Sequence, residues 1–283
     1  MAKGISTWLA ELKPGSNLSA SQNRVVEVLS TNPYNASFQN LSQIAERTGV
    51  NKATVVRTAQ SLGFTGWPAL QQELRAHYLS SLSLEETLGE HRSTSRSAVH
   101  HALSQDVRNL SSAIEILDPE TVDTVIDLLV KSKRILAIGM GSAAAPVLLF
   151  SHLGSNMGHP IHTEDRGGVH LAAALNQLEP GDVLFTVNLW RPMNAMLGAI
   201  KSARRLGITT VALTDLSTGL IAENSDHVLA FPSEGVSFFQ SVTAATSIIY
   251  GLLAGMERAN PGDTKKALTR TQAFWKELGV FID

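Results

Sequence analysis

The stretch from Leu41 to Leu62, LSQIAERTGVNKATVVRTAQSL, places apolar residues at helical spacing on both sides of a glycine. Apolar residues that recur every three or four positions indicate an amphipathic helix. Gly49, between the two runs, can take the left-handed backbone conformation that ends a helix. Asn51 then suits the N-cap of the second helix, where its side chain accepts a hydrogen bond from an unpaired amide. The stretch therefore predicts two short helices joined by a tight turn.

Helix, glycine turn and helix is the arrangement that lays a second helix in the major groove of DNA. The second helix offers polar side chains that we expect to point outward, namely Lys52, Thr54, Arg57, Thr58 and Ser61. The predicted DNA-binding residues are Asn51, Lys52, Thr54, Arg57 and Thr58. The alternative is a helical hairpin packed inside an ordinary bundle, since such pairs are also common packing units.

The distribution of charge supports nucleic-acid contact in the N-terminal part of the chain. Residues 1–80 carry seven Lys and Arg against four Asp and Glu, whereas residues 81–283 carry sixteen against twenty-one. A basic smaller segment attached to an acidic larger one is typical of a protein that meets nucleic acid through one module. The partner we expect is double-stranded DNA.

Composition excludes several other classes of protein. Apolar residues make up 43% and charged residues 17% of the chain, which indicates a globular protein with ample core material. The absence of cysteine removes disulfides and thiolate metal sites and fits a reducing compartment. The start, MAKGISTWLAELKPG, lacks the continuous apolar run of a signal peptide, so we expect a cytoplasmic protein.

An uncharged segment at residues 236–256 is long enough to cross a bilayer. Serine, threonine and glutamine residues interrupt it, and no convincing aromatic or basic anchors flank it. We therefore predict a helix that is buried on most sides, between a sheet and a partner subunit, and no membrane contact.

The chain divides into a helix-turn-helix domain at 1–79, a serine-rich linker at 80–99 and a larger domain at 100–283. The first domain gains two further predicted helices, from Ser19 or Ser21 to Leu29 and from Ala69 to Leu79. Between them, Phe64 and Trp67 are predicted to cover the base of the helical core. Stacking of these two rings on nucleic-acid bases is the alternative.

The third part alternates apolar strands with helices. Strands are predicted at 134–139, 183–188, 209–213 and 227–231, with a weaker candidate at 160–163, and helices at 142–157, 167–177, 192–206 and 216–224. This alternation indicates a parallel sheet with helices on both faces. The predicted fold class is thus an all-α helix-turn-helix domain joined to an α/β domain. In such sheets, ligands bind at the carboxyl ends of the strands.

The first of these strand ends carries the loop Gly139-Met140-Gly141-Ser142. Glycines allow a ligand to approach the backbone closely, and helix-start amides together with the Ser142 hydroxyl can hold an anion. A dinucleotide cofactor is the alternative, but Ala144 replaces the third glycine of that fingerprint, and only Glu164 or Asp165 can supply its acidic residue. We therefore expect no cofactor.

The strand at 183–188 ends in Asn188-Leu189-Trp190-Arg191-Pro192. Pro192 fits the first position of the following helix. Arg191 would then lie where a guanidinium and a helix dipole address one carboxylate or phosphate together. The alternative is that Arg191 forms a surface salt bridge and Trp190 only packs.

Three parts of the chain together carry a family resemblance: LSASQNRVVEVL, the run QIAERTGVNKATVVRTAQSLGFTGWPALQQEL, and the pattern IGMGSAA…EPGDVLFTVN…AIKSARRLGITTVALTD. They resemble the RpiR (MurR/RpiR) family of bacterial transcription regulators over nearly the whole chain. The resemblance implies a winged-type helix-turn-helix joined to a SIS (sugar isomerase) domain with a flavodoxin-like sandwich. It also implies a dimer or tetramer that controls sugar or related catabolic genes in response to a phosphosugar, with Ser142 as the phosphate-loop serine.

The loop at 188–193 departs from the family pattern Ser-x-Ser-Gly-x-Thr. An indole and a cation replace the hydroxyls that surround a phosphate, so a carboxylate or another anionic metabolite held bidentately by Arg191 also fits. The predicted effector-binding residues are Gly141, Ser142, Asn188, Trp190, Arg191 and Glu234.

A SIS-type sugar-phosphate isomerase is the alternative function. Such enzymes move a proton with a carboxylate base and often a histidine, for which Glu234 and the histidines His152, His162 and His170 are the candidates. The altered loop and the attached DNA-binding module argue against a complete acid–base set, so we expect no catalytic residue. We also expect no metal site, because the group HTED at 162–165 is too compact.

Overall fold

The computed structural model describes residues 4–12, 18–90 and 97–282. These residues form two compact units. The first contains the chain as far as His101 together with Glu234–Phe239, and the second contains Ala102–Ser233 together with the chain from Gln240 onward. Within the predicted linker at 80–99, residues 91–96 lie outside the described part of the chain.

The first unit is helical. Its helices are α1 Ile5–Glu11, α2 Ala20–Thr31, α3 Pro33–Phe38, α4 Leu41–Thr48, α5 Lys52–Ser61, α6 Trp67–Ser81 and α7 Leu84–Glu90. No strand occurs among the described residues of this unit, so the winged-type domain that the resemblance implied is wrong for them. The prediction of an all-α domain is confirmed.

The helices of this unit enclose one apolar core. Ile44 of α4 and Val55 of α5 are fully buried in it. Complete burial of such a side chain stabilises a fold by about 1.5–3 kcal/mol. Trp67 is also buried in this core and Phe64 packs against it, as the sequence predicted. The core therefore fixes α5 by its apolar face and leaves the opposite face to solvent.

The turn between α4 and α5 has the predicted geometry. Gly49 follows α4 with φ 64° and ψ 33°, in the left-handed region. Asn51 caps α5, because its Oδ1 accepts a hydrogen bond from the Thr54 amide at 2.8 Å. The glycine and the cap thus set the angle at which α5 leaves the turn.

The second unit is built on a five-stranded parallel sheet in the order β2-β1-β3-β4-β5. The strands are β1 Ile135–Ile138, β2 Ile161–Glu164, β3 Val183–Asn188, β4 Thr209–Thr214 and β5 His227–Ala230. The helices are α8 Ala98–Ile116, α9 Pro119–Lys131, α10 Ala144–Asn156, α11 Gly168–Leu175, α12 Asn194–Arg205, α13 Leu220–Glu223, α14 Thr243–Ala259 and α15 Pro261–Glu277. This strand order is flavodoxin-like. The predicted α/β fold is confirmed.

Alternate residues of each strand face opposite sides of the sheet. Ile135 and Ala137 of β1 lie in one core cluster, whereas Leu136 and Ile138 lie in another. The first cluster includes α9, α10 and α14, and the second includes α12. Two buried faces explain why β1 is a continuous apolar run.

The uncharged segment at 236–256 contributes most of α14, which buries one face in the first of these clusters, including Ile249, Leu252 and Met256. Among the described residues, no helix has the length and apolar character needed to cross a membrane.

The left-handed turn provides a test of how α5 is held. An alanine at Gly49 would have open space for its Cβ but would keep the positive φ, so we expect Gly49→Ala to destabilise the helical unit by about 1–2 kcal/mol. As a control, Gly251→Ala lies in the exposed interior of α14, with no atom within 4 Å of the added Cβ. It should stabilise the fold by about 0.5–1 kcal/mol. Urea unfolding followed by circular dichroism measures both. Equal effects of the two variants would contradict the turn geometry.

Candidate functional site

The outer face of α5 is the candidate DNA-reading surface. Its exposed residues are Asn51, Lys52, Ala53, Arg57, Gln60 and Ser61. Lys52 and Arg57 place two cations in the first two turns of the helix. In helix-turn-helix proteins, the N-terminal residues of the recognition helix contact the base edges. The face therefore presents its two cations and the backbone amides of the helix N-terminus to the position that DNA would occupy.

The prediction that Thr54 and Thr58 point outward is wrong. Both are buried, Thr58 completely, because they share the inward face of α5 with Val55 and Ala59. The Thr58 hydroxyl donates to the Thr54 carbonyl at 2.7 Å, and the Thr54 hydroxyl donates to Asn51 Oδ1 at 2.9 Å. A threonine that satisfies its hydroxyl within its own helix can line an apolar core.

Side chains around α5 brace its outer residues. Arg57 Nη2 lies 3.4 Å from the Thr54 hydroxyl and donates to it. Gln22 of α2 donates to the Ser61 hydroxyl at 2.9 Å. These contacts orient the face.

The second candidate site lies at the carboxyl edge of the sheet, where Gly139 follows β1. A Cβ at Gly139 would lie 2.3 Å from the carbonyl oxygen of Ala143, so only glycine fits this close approach. Gly141 has φ 62°, and Ser142 is exposed at the start of the turn that leads into α10. The loop thus leaves the Ser142 hydroxyl accessible beside a helix start, as an anion site requires.

The loop after β3 brings Trp190 and Arg191 together. The guanidinium carbon of Arg191 lies 4.7 Å from the centroid of the Trp190 ring, within cation–π range. Arg191 is exposed and Trp190 is partly buried, while Asn188 at the strand end is 5% exposed. The indole and the guanidinium therefore form one stacked surface at this edge.

The prediction that Pro192 occupies the first helical position is wrong. Helix α12 begins at Asn194, and its N-cap, Met193, has the extended conformation with ψ 138°. The fixed φ of proline suits an extended segment as well as a helix start. Arg191 consequently lies on a loop that precedes α12.

Asp215 is a residue of this edge that the sequence analysis missed. It follows β4 and is 5% exposed, and its Oδ2 accepts hydrogen bonds from the Trp190 amide at 2.7 Å and the Ser233 hydroxyl at 2.6 Å. Asp215 therefore joins the segments that follow β3, β4 and β5. Its position at the carboxyl end of a parallel strand was the signal that could have identified it.

Glu164, at the end of β2, is a buried carboxylate whose side chain is 4% exposed. Burial raises the pKa of Glu164, but the hydrogen bonds and the charge of Arg166 outweigh it and hold that pKa below its ordinary value. The Arg166 amide donates to Oε1 at 2.9 Å and Nη2 to Oε2 at 3.1 Å. Glu164 is thus an ionised carboxylate, and both of its oxygens accept hydrogen bonds from Arg166.

Glu234 is paired with an arginine of the helical unit. It lies in the segment Glu234–Phe239, which belongs to the helical unit, and its Oε2 accepts a hydrogen bond from Arg75 Nη1 of α6 at 2.6 Å. The three histidines considered for an isomerase, His152, His162 and His170, are exposed. In the described parts of the chain, no group of three His, Asp or Glu side chains is placed to hold a metal ion.

A cavity of about 460 Å³ lies away from both candidate sites. It is lined by the C-terminal ends of α9 and α10, the residues before β2 and the first half of α15. His159 borders it, and burial lowers the pKa of this imidazole below its ordinary value.

The fold defines a class of protein in which a helix-turn-helix domain is joined to a SIS domain. Residues 11–81 match the model of the helix-turn-helix domain of the rpiR family, and residues 128–254 match the model of the SIS domain. The chain thus carries a helix-turn-helix domain that matches the rpiR family model, followed by a SIS domain.

Relatives with known names are transcription regulators. HexR, an HTH-type transcriptional regulator of Pseudomonas aeruginosa, is 27% identical over 135 residues, which cover 48% of this chain and 47% of HexR. The chain thus matches about half the length of HexR. An uncharacterised HTH-type transcriptional regulator of Haemophilus influenzae is 26% identical over 218 residues, 75% of each chain.

Solved structures share the fold. The sugar isomerase domain of an RpiR transcription factor from Sphaerobacter thermophilus matches with a TM-score of 0.60 and 25% identity, over 62% of this chain and 97% of that one. The Vibrio vulnificus NanR protein complexed with ManNAc-6P matches with a TM-score of 0.61 and 18% identity, over 96% of this chain and 98% of NanR. These matches show that the chain shares the fold of both structures.

The Glu164–Arg166 pair predicts a pH dependence of stability. A carboxylate with a lowered pKa stabilises the fold above its unfolded pKa, and this contribution is lost as the pH falls through the folded pKa. Arg166→Ala should lower the free energy of unfolding at pH 7 by no more than about 1 kcal/mol, since the Arg166 side chain is exposed. This difference should vanish on acidification below the ordinary pKa of 4.5.

Urea unfolding between pH 3 and 8 measures this difference, and the carboxyl carbon shift of Glu164 reports its pKa directly. Lys265→Ala on α15 is the control, because it removes an exposed cation elsewhere. A constant difference across this range would show that the Arg166 charge does not act on Glu164.

Proposed function

We propose that this chain is a cytoplasmic DNA-binding transcription regulator of a catabolic operon, controlled by a small anionic metabolite that binds the SIS domain. The observation that carries the proposal is the exposed face of α5, where Lys52 and Arg57 follow a left-handed glycine and an asparagine cap. A capped helix with an apolar inner face and a cationic outer face suits the major groove.

Lys52 and Arg57 have different proposed roles in DNA binding. Lys52, a compact cation in the first turn, would contact phosphate, which adds affinity without sequence preference. Arg57 carries a planar fork that can read a guanine edge bidentately. Asn51, with its side chain engaged at the cap, and the buried Thr54 and Thr58 would hold the helix in shape. The two threonines would therefore support the helix and would not contact DNA.

The effector would bind at the carboxyl edge, contacted by Gly141, Ser142, Asn188, Trp190 and Arg191. The NanR protein complexed with ManNAc-6P supports a phosphosugar. The replacement of loop hydroxyls by Trp190 and Arg191 supports a carboxylate. Both classes are anions that a guanidinium can bind bidentately. The sequence also predicts that Glu234 contacts the effector. In the structure its carboxylate is paired with Arg75.

The SIS domain would also join subunits into a homodimer or homotetramer. An effector would change DNA affinity by binding two arrangements of the subunits with different affinity. We infer that the chain does not act as an isomerase, since the carboxylate expected as its base is engaged by Arg75.

Arg57→Ala tests the DNA-reading role. Loss of one bidentate base contact removes about 1–3 kcal/mol of discrimination, which corresponds to roughly 5- to 150-fold in Kd. Mobility-shift titration of duplexes that the wild-type protein selects from a random pool measures this loss. Lys131→Ala removes the same charge from an exposed position on α9 and should change Kd less than about twofold. Equal losses in both variants would remove Arg57 from the interface.

Arg191→Ala tests the effector site. We expect the variant to bind DNA with the affinity of the wild type but to lose the rise in Tm that an effector gives, because the ligand loses its guanidinium partner. A thermal-shift panel of phosphosugars and carboxylates provides the measurement and also distinguishes the two ligand classes. Lys201→Ala, an exposed cation on α12, should keep the wild-type response. Retention of the response in Arg191→Ala would exclude Arg191 from the site.

A further inference from the structure

Trp190 has an unusual backbone conformation. Its φ is 65°, and within the described residues it is the single non-glycine residue with a positive φ. A bulky side chain in this region is strained and persists only where the surrounding structure holds it. Such strain in proteins concentrates at ligand-binding sites. Some contact must therefore hold Trp190 in place.

The Asp215 carboxylate makes that contact. Its Oδ2 accepts from the Trp190 amide at 2.7 Å and from the Ser233 hydroxyl at 2.6 Å. Asp215 itself is 5% exposed. A buried polar group is costly without a hydrogen-bond partner, so both bonds favour this geometry. The bond to the amide fixes the peptide plane that leads into Trp190, and with it the left-handed turn.

The turn at Trp190 also determines the surface that would contact the ligand. Because the backbone turns at Trp190, the side chains of Trp190 and Arg191 leave the loop so that the guanidinium lies over the indole at 4.7 Å. Arg191 precedes α12 on a loop and is not fixed by helical backbone. The position of its charge therefore depends on the turn that Asp215 holds.

We propose that Asp215 is a positioning residue: it holds Trp190 in the left-handed conformation and so presents the stacked Trp190–Arg191 surface to an anionic effector. The influence of Asp215 on effector affinity rests on the proposed function. Its influence on the conformation of the loop requires neither ligand nor DNA. Preorganisation of this kind raises affinity because the loop is already ordered before the ligand binds.

Fluorine NMR of the full chain labelled with 5-fluorotryptophan tests the hold on the loop. The chain contains four tryptophans, Trp8, Trp67, Trp190 and Trp275, and the Trp190 resonance is assigned by its loss in Trp190→Phe. In Asp215→Ala, we expect this resonance to shift or split while the other three stay, because the Trp190 amide loses its acceptor.

Two variants separate positioning from a general loss of structure. Asp215→Asn keeps an oxygen that can accept from the Trp190 amide and should retain the wild-type resonance. Ser233→Ala removes the other hydrogen bond to the same oxygen and should also leave the resonance in place. An unmoved Trp190 resonance in Asp215→Ala would overturn the proposal, as would a shift in Ser233→Ala equal to that in Asp215→Ala.

Stability and effector response provide two further readouts. Glycine takes a positive φ without strain, so Asp215→Ala should lower the urea midpoint less in a Trp190→Gly background than in the wild type. In a thermal-shift titration with glucose 6-phosphate and with citrate, Asp215→Ala should need at least about tenfold more of whichever compound stabilises the wild type. An equal fall in urea midpoint in both backgrounds, or an unchanged titration, would contradict the proposal. If neither compound binds the wild type, the effector site fails while the fluorine spectra still decide whether Asp215 holds the loop.

Discussion

The position of β4 between β3 and β5 in a parallel sheet is the constraint on which the candidate site at the carboxyl edge of the sheet depends. Strands that run the same way end at the same edge, and the register pairs Asn188 at the end of β3 with Thr214 at the end of β4. Asp215 follows Thr214 directly and can therefore reach both Trp190 and Ser233. One buried carboxylate thus ties together three loops that are distant in sequence.

Much of the fold was predictable because local patterns determine it. Short apolar runs between turn residues identified all five strands, and Gly49 with Asn51 identified the turn before α5. The orientation of Thr54 and Thr58 was not predictable, since a threonine suits either face of a helix when its hydroxyl bonds to its own backbone. Local patterns therefore determined the elements better than the direction of small polar side chains.

The candidate effector site was predictable only in part, because its key contacts are long-range. The glycine loop and Arg191 follow their strands immediately and could be placed by sequence position. The hydrogen bond between Asp215 and Trp190 spans 25 residues, and the pair of Arg75 with Glu234 spans 159. No periodicity or motif predicts such pairs, so neither the Asp215 contact nor the pairing of Glu234 with Arg75 was foreseen. Both pairs became visible only in the three-dimensional structure.

The proposed regulator depends on the binding of duplex DNA by the exposed face of α5. Fluorescence anisotropy of a labelled duplex from the region upstream of the gene, titrated with the wild-type chain at several salt concentrations, tests it most directly. We expect saturable binding whose log affinity falls linearly with log salt, by about 0.9 for each phosphate that the protein neutralises. If a correctly folded protein showed no binding even in buffer of low salt concentration, α5 would not be a DNA-binding helix.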